Sequence, residues 1–266
     1  MNFLQSMCLN RHSTDVKAMV MSVGVVRRAV NNVNYDIKTN GEALVIDVAL
    51  DHLSGPFFDV GAFHGDWGSI PTAKGRLTYM FEASPENYDT LVHSVLHENC
   101  VTHNVVVGER THSKVNFYHV EDKPHTSSRY GMFLDKHIPG SKKSHHILPM
   151  ITGDVFCEGE QIPEIGLLKI DVEGGEMPVI RGFNTMLSTG NIGAIQFEYG
   201  LVNIEARTFL KDFYDYLTPR GFLIGKVFPD GVEFKAYAYE DEDFLGPNYL
   251  AVHNSQTAFL NAVRVG

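Results

Sequence analysis

The sequence predicts an α/β fold of the Rossmann-like kind, in which helices cover both faces of a mostly parallel sheet. Short β-rich runs alternate with amphipathic helical patterns, which is typical of βαβ units. These runs are continuously apolar, as expected for strands that are buried on both faces. The length of 266 residues, of which 44% are hydrophobic, suits one large domain or two small ones.

Five short apolar runs are the candidate parallel strands, and helical patterns lie between them. They are Pro56–Val60, Leu77–Glu82, Asn104–Val107, Gly166–Val172 and Ile192–Glu198. Three further β-rich runs follow near the end of the chain, and a Pro-Asp-Gly turn between the first two indicates a hairpin. They are Phe222–Phe228, Val232–Tyr239 and Tyr249–His253.

The helices are indicated by their end signals and apolar faces. The segment Ser84-Pro85-Glu86 supplies an N-cap, a proline at the first helical position and an acid in the first turn. A second helix is predicted after Gly174-Gly175, and a third near Ile204–Leu217, where apolar residues recur at helical spacing.

The chain divides into an extension, a main domain and an insertion. Residues 1–54 precede the first predicted strand and are interpreted as a helical extension packed on the core, and residues 55–266 form the main domain. Within that domain, residues 109–164 are too long for a simple connection between two strands. We therefore expect this insertion to contribute to function.

Charge and composition limit the function classes. The 22 Lys and Arg residues against 32 Asp and Glu residues give a net charge of −10, which disfavours a nucleic-acid surface. No segment approaches the ~20 consecutive apolar residues of a membrane span, and no secretory signal is indicated. The 3 cysteines are far apart and form no metal-binding or disulfide pattern, so we expect a reducing, cytoplasmic location.

The sharpest local motif follows the first predicted strand. Here Asp59 ends an apolar run, and Gly61 and Gly65 stand four residues apart after it. Glycines in such a turn allow close approach of a ligand to the backbone, at the edge where doubly wound folds bind nucleotides. The dinucleotide fingerprint GxGxxG is not met, because Phe63 stands where its second glycine would be.

Acids also end the other predicted strands. Glu82 follows Asp59 by 23 residues, at a position suited to accept hydrogen bonds from a ribose diol. Asp171 and Glu173 follow a buried strand next to a glycine pair, and Glu198 ends the next strand. Carboxylates crowded at the carboxyl edge of a sheet are costly unless they bind something or face water.

Together these residues resemble the FkbM-type family of S-adenosylmethionine-dependent methyltransferases. The most distinctive block is Leu168-Lys169-Ile170-Asp171-Val172-Glu173-Gly174. The resemblance covers about 140 residues in family order. Its other blocks are Phe57 to Ala62, Met80 to Tyr88, Asn104 to Gly108, Ile180 to Gly182, and Glu198.

The resemblance implies a class I methyltransferase fold, a three-layer sandwich whose seven-stranded sheet has its last strand antiparallel. It also implies O-methylation of a hydroxyl on a sugar, a glycan or a small metabolite, with S-adenosylmethionine as cofactor. By the same resemblance, Asp59, Gly61 and Gly65 line the methionine end of the cofactor, Glu82 holds the ribose, and Asn104 and Val105 lie near the adenine. Ala62, Ala83 and Asp171 are expected in the same cofactor site.

Methyl transfer to an alcohol needs a general base, because the acceptor loses its proton as the new bond forms. Asp171 and Glu173 are the preferred candidates, and His64 is the third because histidine titrates near neutral pH. A divalent ion bridging Asp171, Glu173 and Glu198 is compatible with their oxygen ligands, but nothing in the spacing requires it, so no metal is predicted.

The insertion contains the one basic patch of this acidic sequence, which could steer an anionic acceptor or be only a solvated loop. Its members are Lys136, His137, Lys142, Lys143, His145 and His146. The segment Thr126 to Tyr130 is a further candidate for contact with the acceptor.

Two other functions stay open. An NAD-type oxidoreductase would use the same fold, although the GxGxxG fingerprint is missing. A binding module that keeps the fold without turnover is the other. The expected partner is a small-molecule or glycan acceptor rather than nucleic acid or a membrane.

Overall fold

A computed structural model of the chain describes residues 13–129 and 139–266. The strands described, in chain order, are β1 (Phe57–Val60), β2 (Thr78–Phe81), β3 (Cys100–His103), β4 (Val106–Val107), β5 (His112–Val120), β6 (Lys143–Ile151), β7 (Ile165–Ile170), β8 (Ile192–Glu198), β9 (Phe222–Phe228), β10 (Gly231–Phe234) and β11 (Asn248–His253).

The α-helices described are α1 (Thr14–Val30), α2 (Glu42–His52), α3 (Ser69–Ala73), α4 (Pro85–Ser94), α5 (Gly153–Gly159), α6 (Glu176–Gly182), α7 (Asn184–Ser188), α8 (Val202–Ala206), α9 (Leu210–Leu217) and α10 (Thr257–Val263). Short 3₁₀ turns lie at Pro124–Thr126, Thr218–Arg220 and Tyr239–Asp241.

The central sheet has the strand order β10-β9-β11-β8-β7-β1-β2-β3. The strands from β8 to β3 pair in parallel, while β11 lies antiparallel between β8 and β9. The predicted α/β fold with a mostly parallel sheet and an antiparallel last strand is therefore confirmed. The predicted count of seven strands is one short, because β10 pairs antiparallel with β9 and adds an edge strand.

Two hydrophobic cores lie on opposite faces of the sheet, since alternate residues of a strand point to opposite sides. On β1, Phe58 packs with α5, α6, α7 and α9, whereas Phe57 packs with α2 and α10. On β7, Leu168 lies in the same core as Phe58, and Leu167 lies in the same core as Phe57. All four side chains are fully buried. This is the three-layer arrangement that continuous apolar strands predict.

The insertion contributes β5 and β6, an antiparallel pair, to a second sheet of three strands in the order β4-β6-β5. The strand predicted at Asn104–Val107 is displaced from the central sheet. Its apolar end is β4, which pairs with β6, while the third central strand is β3, Cys100–His103. That strand is half-buried at the sheet edge, so it lacks the apolar run that marks the others.

The helix predicted near Ile204–Leu217 is two helices, α8 and α9. Arg207 has φ 55°, a left-handed conformation that ends α8. A side-chain oxygen of Asp212 then accepts the N–H of Phe209 (2.8 Å) and starts α9. The apolar periodicity continues across this break, which is why the pattern alone does not reveal it.

The described part of the N-terminal segment contains α1 and α2. Helix α2 buries Val45, Ile46 and Ala49 in the core that also contains Phe57. Helix α1 instead leaves most of its large apolar side chains exposed, including Met21 at 73%. Within the residues described, no helix combines the length and apolar character needed to cross a membrane.

Candidate active site

Two adjoining cavities lie at the carboxyl edge of the parallel strands. The first, here called the hairpin cleft, lies between the ends of β1 and β2 and the β5–β6 hairpin. The second, the acidic cavity, has a volume of about 680 Å³ and extends toward the ends of β7 and β8. Both are lined by Gly61, Phe63, His125, Asp171 and Glu173, which form their common boundary.

The hairpin cleft is an apolar slot with a few polar groups. Its apolar walls come from four elements, so they form only in the folded chain. These wall residues are Val60, Phe81, Val105, Val106, Val107, Phe117 and Val172. The polar side chains Glu82, Asn87 and Arg129 lie along the same cleft. A flat, mostly apolar ring with polar edges is the kind of ligand that such a site accommodates.

Glu82 is placed at the end of β2 and is only 6% exposed. Its Oε2 accepts the N–H of Phe63 and its Oε1 accepts the N–H of Ser84, both at 2.8 Å. Burial raises the pKa of Glu82 to about 7, against these hydrogen bonds. The carboxylate thus ties the glycine loop to β2 and keeps lone pairs that could accept hydroxyl groups.

Three further predicted cofactor residues lie near the end of β2. Ala83 and Val105 line the hairpin cleft. Asn104 lines neither cavity, because its Nδ2 donates to the carbonyl oxygens of Glu82 (2.8 Å) and Ala83 (3.0 Å). The geometry gives Asn104 a positioning role, since it connects the ends of β2 and β3.

The two loop glycines stand where other parts of the protein approach the backbone closely. A Cβ on Gly61 would stand 1.7 Å from the backbone oxygen of Asp171, and a Cβ on Gly65 would stand 2.3 Å from Val95. Both glycines also have positive φ, 87° and 90°. They allow close approach of protein to protein at these two positions. Gly61 still lines both cavities, whereas Gly65 lines neither.

Asp59, at the third position of β1, is 1% exposed and lines the acidic cavity together with Ala62. Its Oδ2 accepts the N–H of Gly68 (3.1 Å), while its Oδ1 has no hydrogen-bond partner. Burial, followed by the charge of Asp171, raises the pKa of Asp59 to about 6. A buried, unpaired carboxylate oxygen is expected to meet a donor on a ligand.

Asp171, Glu173 and Glu198 come together as the sequence suggests, with one carboxylate oxygen from each lying within 4.8 Å of the others. We call them the carboxylate trio. Burial and the charge of Asp171 hold the pKa values of Glu173 and Glu198 well above the usual range. The ammonium of Lys169 lies 3.0 Å from Oδ2 of Asp171 and offsets part of this charge.

His64 does not line the cavity that contains the carboxylate trio. Its ring stacks on Phe63, with 3.6 Å between the ring centroids, and it lines neither cavity. Burial lowers the pKa of His64. The geometry therefore favours the carboxylates over His64 among the three candidates for a general base.

Several lining residues were not identified from the sequence. Tyr35, Ile37 and Glu42 reach the acidic cavity from the N-terminal segment, and Phe117 and Arg129 reach the hairpin cleft from the insertion. Arg129 belongs to the segment Thr126 to Tyr130, which the sequence assigns to the acceptor; Thr126 lines the acidic cavity, whereas Ser127 and Arg129 line the hairpin cleft. Nothing in local spacing indicates the others.

The described members of the basic patch, Lys142, Lys143, His145 and His146, line neither cavity. His146 instead pairs with Glu86, with 2.9 Å between Nε2 and a carboxylate oxygen. Lys136, His137 and Tyr130 lie outside the described residues.

The sequence matches one family model, and the structure is similar to solved structures of other proteins. A family model described as the methyltransferase FkbM domain matches residues 59–224, more than half of the chain. No curated protein matches the chain. A TehB-like SAM-dependent methyltransferase from Corynebacterium glutamicum is 12% identical, with 89% of this chain and 97% of that chain covered and a TM-score of 0.40. A precorrin 8W decarboxylase from Methanobacterium thermoautotrophicum is 14% identical, with coverages of 78% and 86% and a TM-score of 0.37.

Proposed function

Because the chain belongs to the FkbM family of S-adenosylmethionine-dependent methyltransferases, we propose that it methylates a hydroxyl group. The cofactor would occupy the hairpin cleft and extend its methionine end past the boundary as far as Asp59 in the acidic cavity, and the acceptor would occupy the rest of the acidic cavity. The observation that carries this proposal is that two cavities of different character meet at Asp171 and Glu173.

The residues present fit the cofactor. The unpaired Oδ1 of Asp59 is suited to accept from an ammonium group. Glu82 is placed to accept from a ribose diol, and the apolar walls of the hairpin cleft suit an adenine ring. When bound, S-adenosylmethionine supplies a methyl group on a positively charged sulfur.

The chain's own contribution to transfer is alignment and proton acceptance. Glu173 lines both cavities, so its carboxylate stands where an acceptor hydroxyl would meet the methyl donor. Burial and the charge of Asp171 raise the pKa of Glu173, which makes its ionised carboxylate a stronger proton acceptor than an exposed one. We propose Glu173 as the general base and Asp171, held by Lys169, as its neighbour that keeps the boundary negative.

The charge of the acidic cavity bears on the acceptor. Six carboxylates line it against one ammonium, that of Lys169. An anionic acceptor would be repelled, so a neutral polyhydroxyl compound such as a sugar or glycan fits better than an acidic one. The described members of the basic patch line neither cavity, so we do not propose that they steer an anion to the site.

The first prediction tests the cofactor. Calorimetric titration should show binding of S-adenosylhomocysteine and no binding of NAD. The variant Asp59→Asn should bind S-adenosylhomocysteine about 10-fold more weakly, because a charge-assisted hydrogen bond contributes about 1.5–3 kcal/mol. Asp66→Asn, which removes an exposed charge from the same cavity, should bind as the wild type does. Binding of NAD without either adenosyl compound would overturn the proposal in favour of an oxidoreductase.

A second prediction concerns Arg129, which lies on the insertion and lines the hairpin cleft. Among the residues that the structure describes, its Nε is buried without a hydrogen-bond partner, and its Nη1 donates to the sulfur of Met150 at 3.4 Å. No described carboxylate lies within ion-pair distance of it. We expect Arg129 to bond the cofactor, so Arg129→Met should weaken S-adenosylhomocysteine binding about 10-fold, as measured by calorimetry.

The matched control for Arg129 is Lys123→Met, which removes an exposed cation from the same hairpin. It should leave the affinity unchanged. Equal losses in the two variants would show that only the general charge of the hairpin matters and would remove Arg129 from the site.

A further inference from the structure

The carboxylate trio has an arrangement that a proton acceptor alone does not require. Three side chains from two strand ends, Asp171, Glu173 and Glu198, bring one oxygen each to within 4.8 Å of one another. Oxygens bound to a single divalent ion at about 2.0–2.6 Å can be no more than about 4.0–5.2 Å apart. For three oxygens spread evenly around one ion the limit is shorter, about 3.5–4.5 Å, so the trio needs a small contraction for a larger divalent ion and a greater one for Mg²⁺.

Charge in the surrounding cavity is not balanced by the protein. The lining contains six carboxylates and one ammonium, and that ammonium already pairs with Oδ2 of Asp171. Asp171 also interacts directly with Glu198, so the three carboxylates share one site. Bringing these charges together in a partly buried site is costly unless a cation joins them.

Unpaired carboxylate oxygens beside the trio provide an independent indication. Asp59 is 1% exposed and lines the same cavity with an unpartnered Oδ1. Glu176 is fully buried and receives the N–H groups of Val172 and Gly174 on Oε1, while its Oε2 has no partner. Such buried acceptors call for positive charge at this place.

From these observations we propose that Asp171, Glu173 and Glu198 bind a divalent metal cation through one oxygen each, with its open side toward the acidic cavity. Hard oxygen ligands of this kind suit Mg²⁺, Mn²⁺ or Ca²⁺. A role of the ion at the acceptor rests on the proposed function, whereas metal binding itself does not.

The test uses Mn²⁺ as the probe and the whole chain without added cofactor. Loss of the electron paramagnetic resonance signal of free Mn²⁺ should reveal one bound ion per chain, displaced by Mg²⁺ or Ca²⁺. Glu198→Gln should weaken binding at least 10-fold, since it removes one of three charged ligands. Asp66→Asn is the matched control, because Asp66 lines the same cavity outside the trio, and it should bind Mn²⁺ nearly as the wild type does.

Three results would overturn the metal site: no Mn²⁺ binding by the wild type, equal weakening in Glu198→Gln and Asp66→Asn, or binding that Mg²⁺ and Ca²⁺ do not compete for. Calorimetry with S-adenosylhomocysteine in the presence of a chelator, on the same preparations, checks that Glu198→Gln is folded. It also separates the two proposals, because adenosyl binding without Mn²⁺ binding removes the metal site and leaves the proposed function in place.

Discussion

The variant Gly61→Ala should lose about 4 kcal/mol of unfolding free energy and, with it, its binding of S-adenosylhomocysteine. A Cβ at this position would stand 1.7 Å from the backbone oxygen of Asp171 and 2.7 Å from its carbonyl carbon. Neither atom can move easily, because the Asp171 N–H donates to the oxygen of Val60 (2.9 Å) and ties β7 to β1. Thermal denaturation should show a fall in Tm of about 10 °C.

Gly75→Ala provides the matched control for that loss. Gly75 has φ 86°, nearly the 87° of Gly61, but a Cβ there would have nothing within 4 Å. The control therefore measures the backbone cost alone, about 1–2 kcal/mol for a left-handed residue. Equal melting temperatures in the two variants would contradict the close approach of Gly61 to the Asp171 carbonyl.

The acids at the strand ends could be predicted from the sequence because each marks a change of environment. A buried strand such as β7 shows as a continuous apolar run, and an acid directly after it must leave the core. Parallel strands end at one edge of the sheet, so Asp171 and Glu198 had to lie near each other once the alternation of strands and helices was recognised. Glu82 follows from the same reasoning on β2.

Residues that reach the site from distant parts of the chain could not be predicted in this way. Tyr35 and Glu42 both line the acidic cavity. Glu42 is placed there because α2 packs on the sheet, where its Oε2 accepts a hydrogen bond from Nε2 of Gln196 (2.5 Å). Arg129 depends on the pairing of β5 with β6, a contact that no local pattern specifies. β3 was missed for a related reason, because a half-buried edge strand needs few apolar residues.

The glycine loop shows that the protein itself can require a glycine at a position that the sequence assigns to a ligand. Gly61 and Gly65 were expected to make room for a ligand, yet the atoms that a Cβ would meet belong to Asp171, Val95 and Leu91. Sequence shows that a side chain is absent but not what fills the space. The loop is thereby held by the protein itself, which places Phe63 and the boundary between the cavities before any ligand arrives.

A pH-dependent affinity should identify Glu82 as the ribose ligand. Burial raises its pKa to about 7, so the free protein holds a proton there at pH 6 and has released it at pH 8. Only the ionised carboxylate can accept two hydroxyl groups while it also accepts the N–H groups of Phe63 and Ser84. The affinity for S-adenosylhomocysteine, measured by calorimetry, should therefore rise about 10-fold from pH 6 to pH 8, since about a tenth of the groups are ionised at pH 6.

Glu82→Gln should bind about 100-fold more weakly at pH 8 and lose the pH dependence, because an amide offers one acceptor oxygen where the loop needs two. The raised pKa of Glu82 also makes the free energy of unfolding depend on pH. A raised pKa in the folded state means that Glu82 contributes stability below its ordinary pKa, and that this contribution is lost as pH rises through about 7. Asp89→Asn, on the exposed side of α4, is the control for binding and should keep the wild-type pH dependence of the affinity for S-adenosylhomocysteine. An unchanged pH dependence in Glu82→Gln would assign the titration to another carboxylate of the site, of which Asp59 is the first to examine, because burial raises its pKa to about 6.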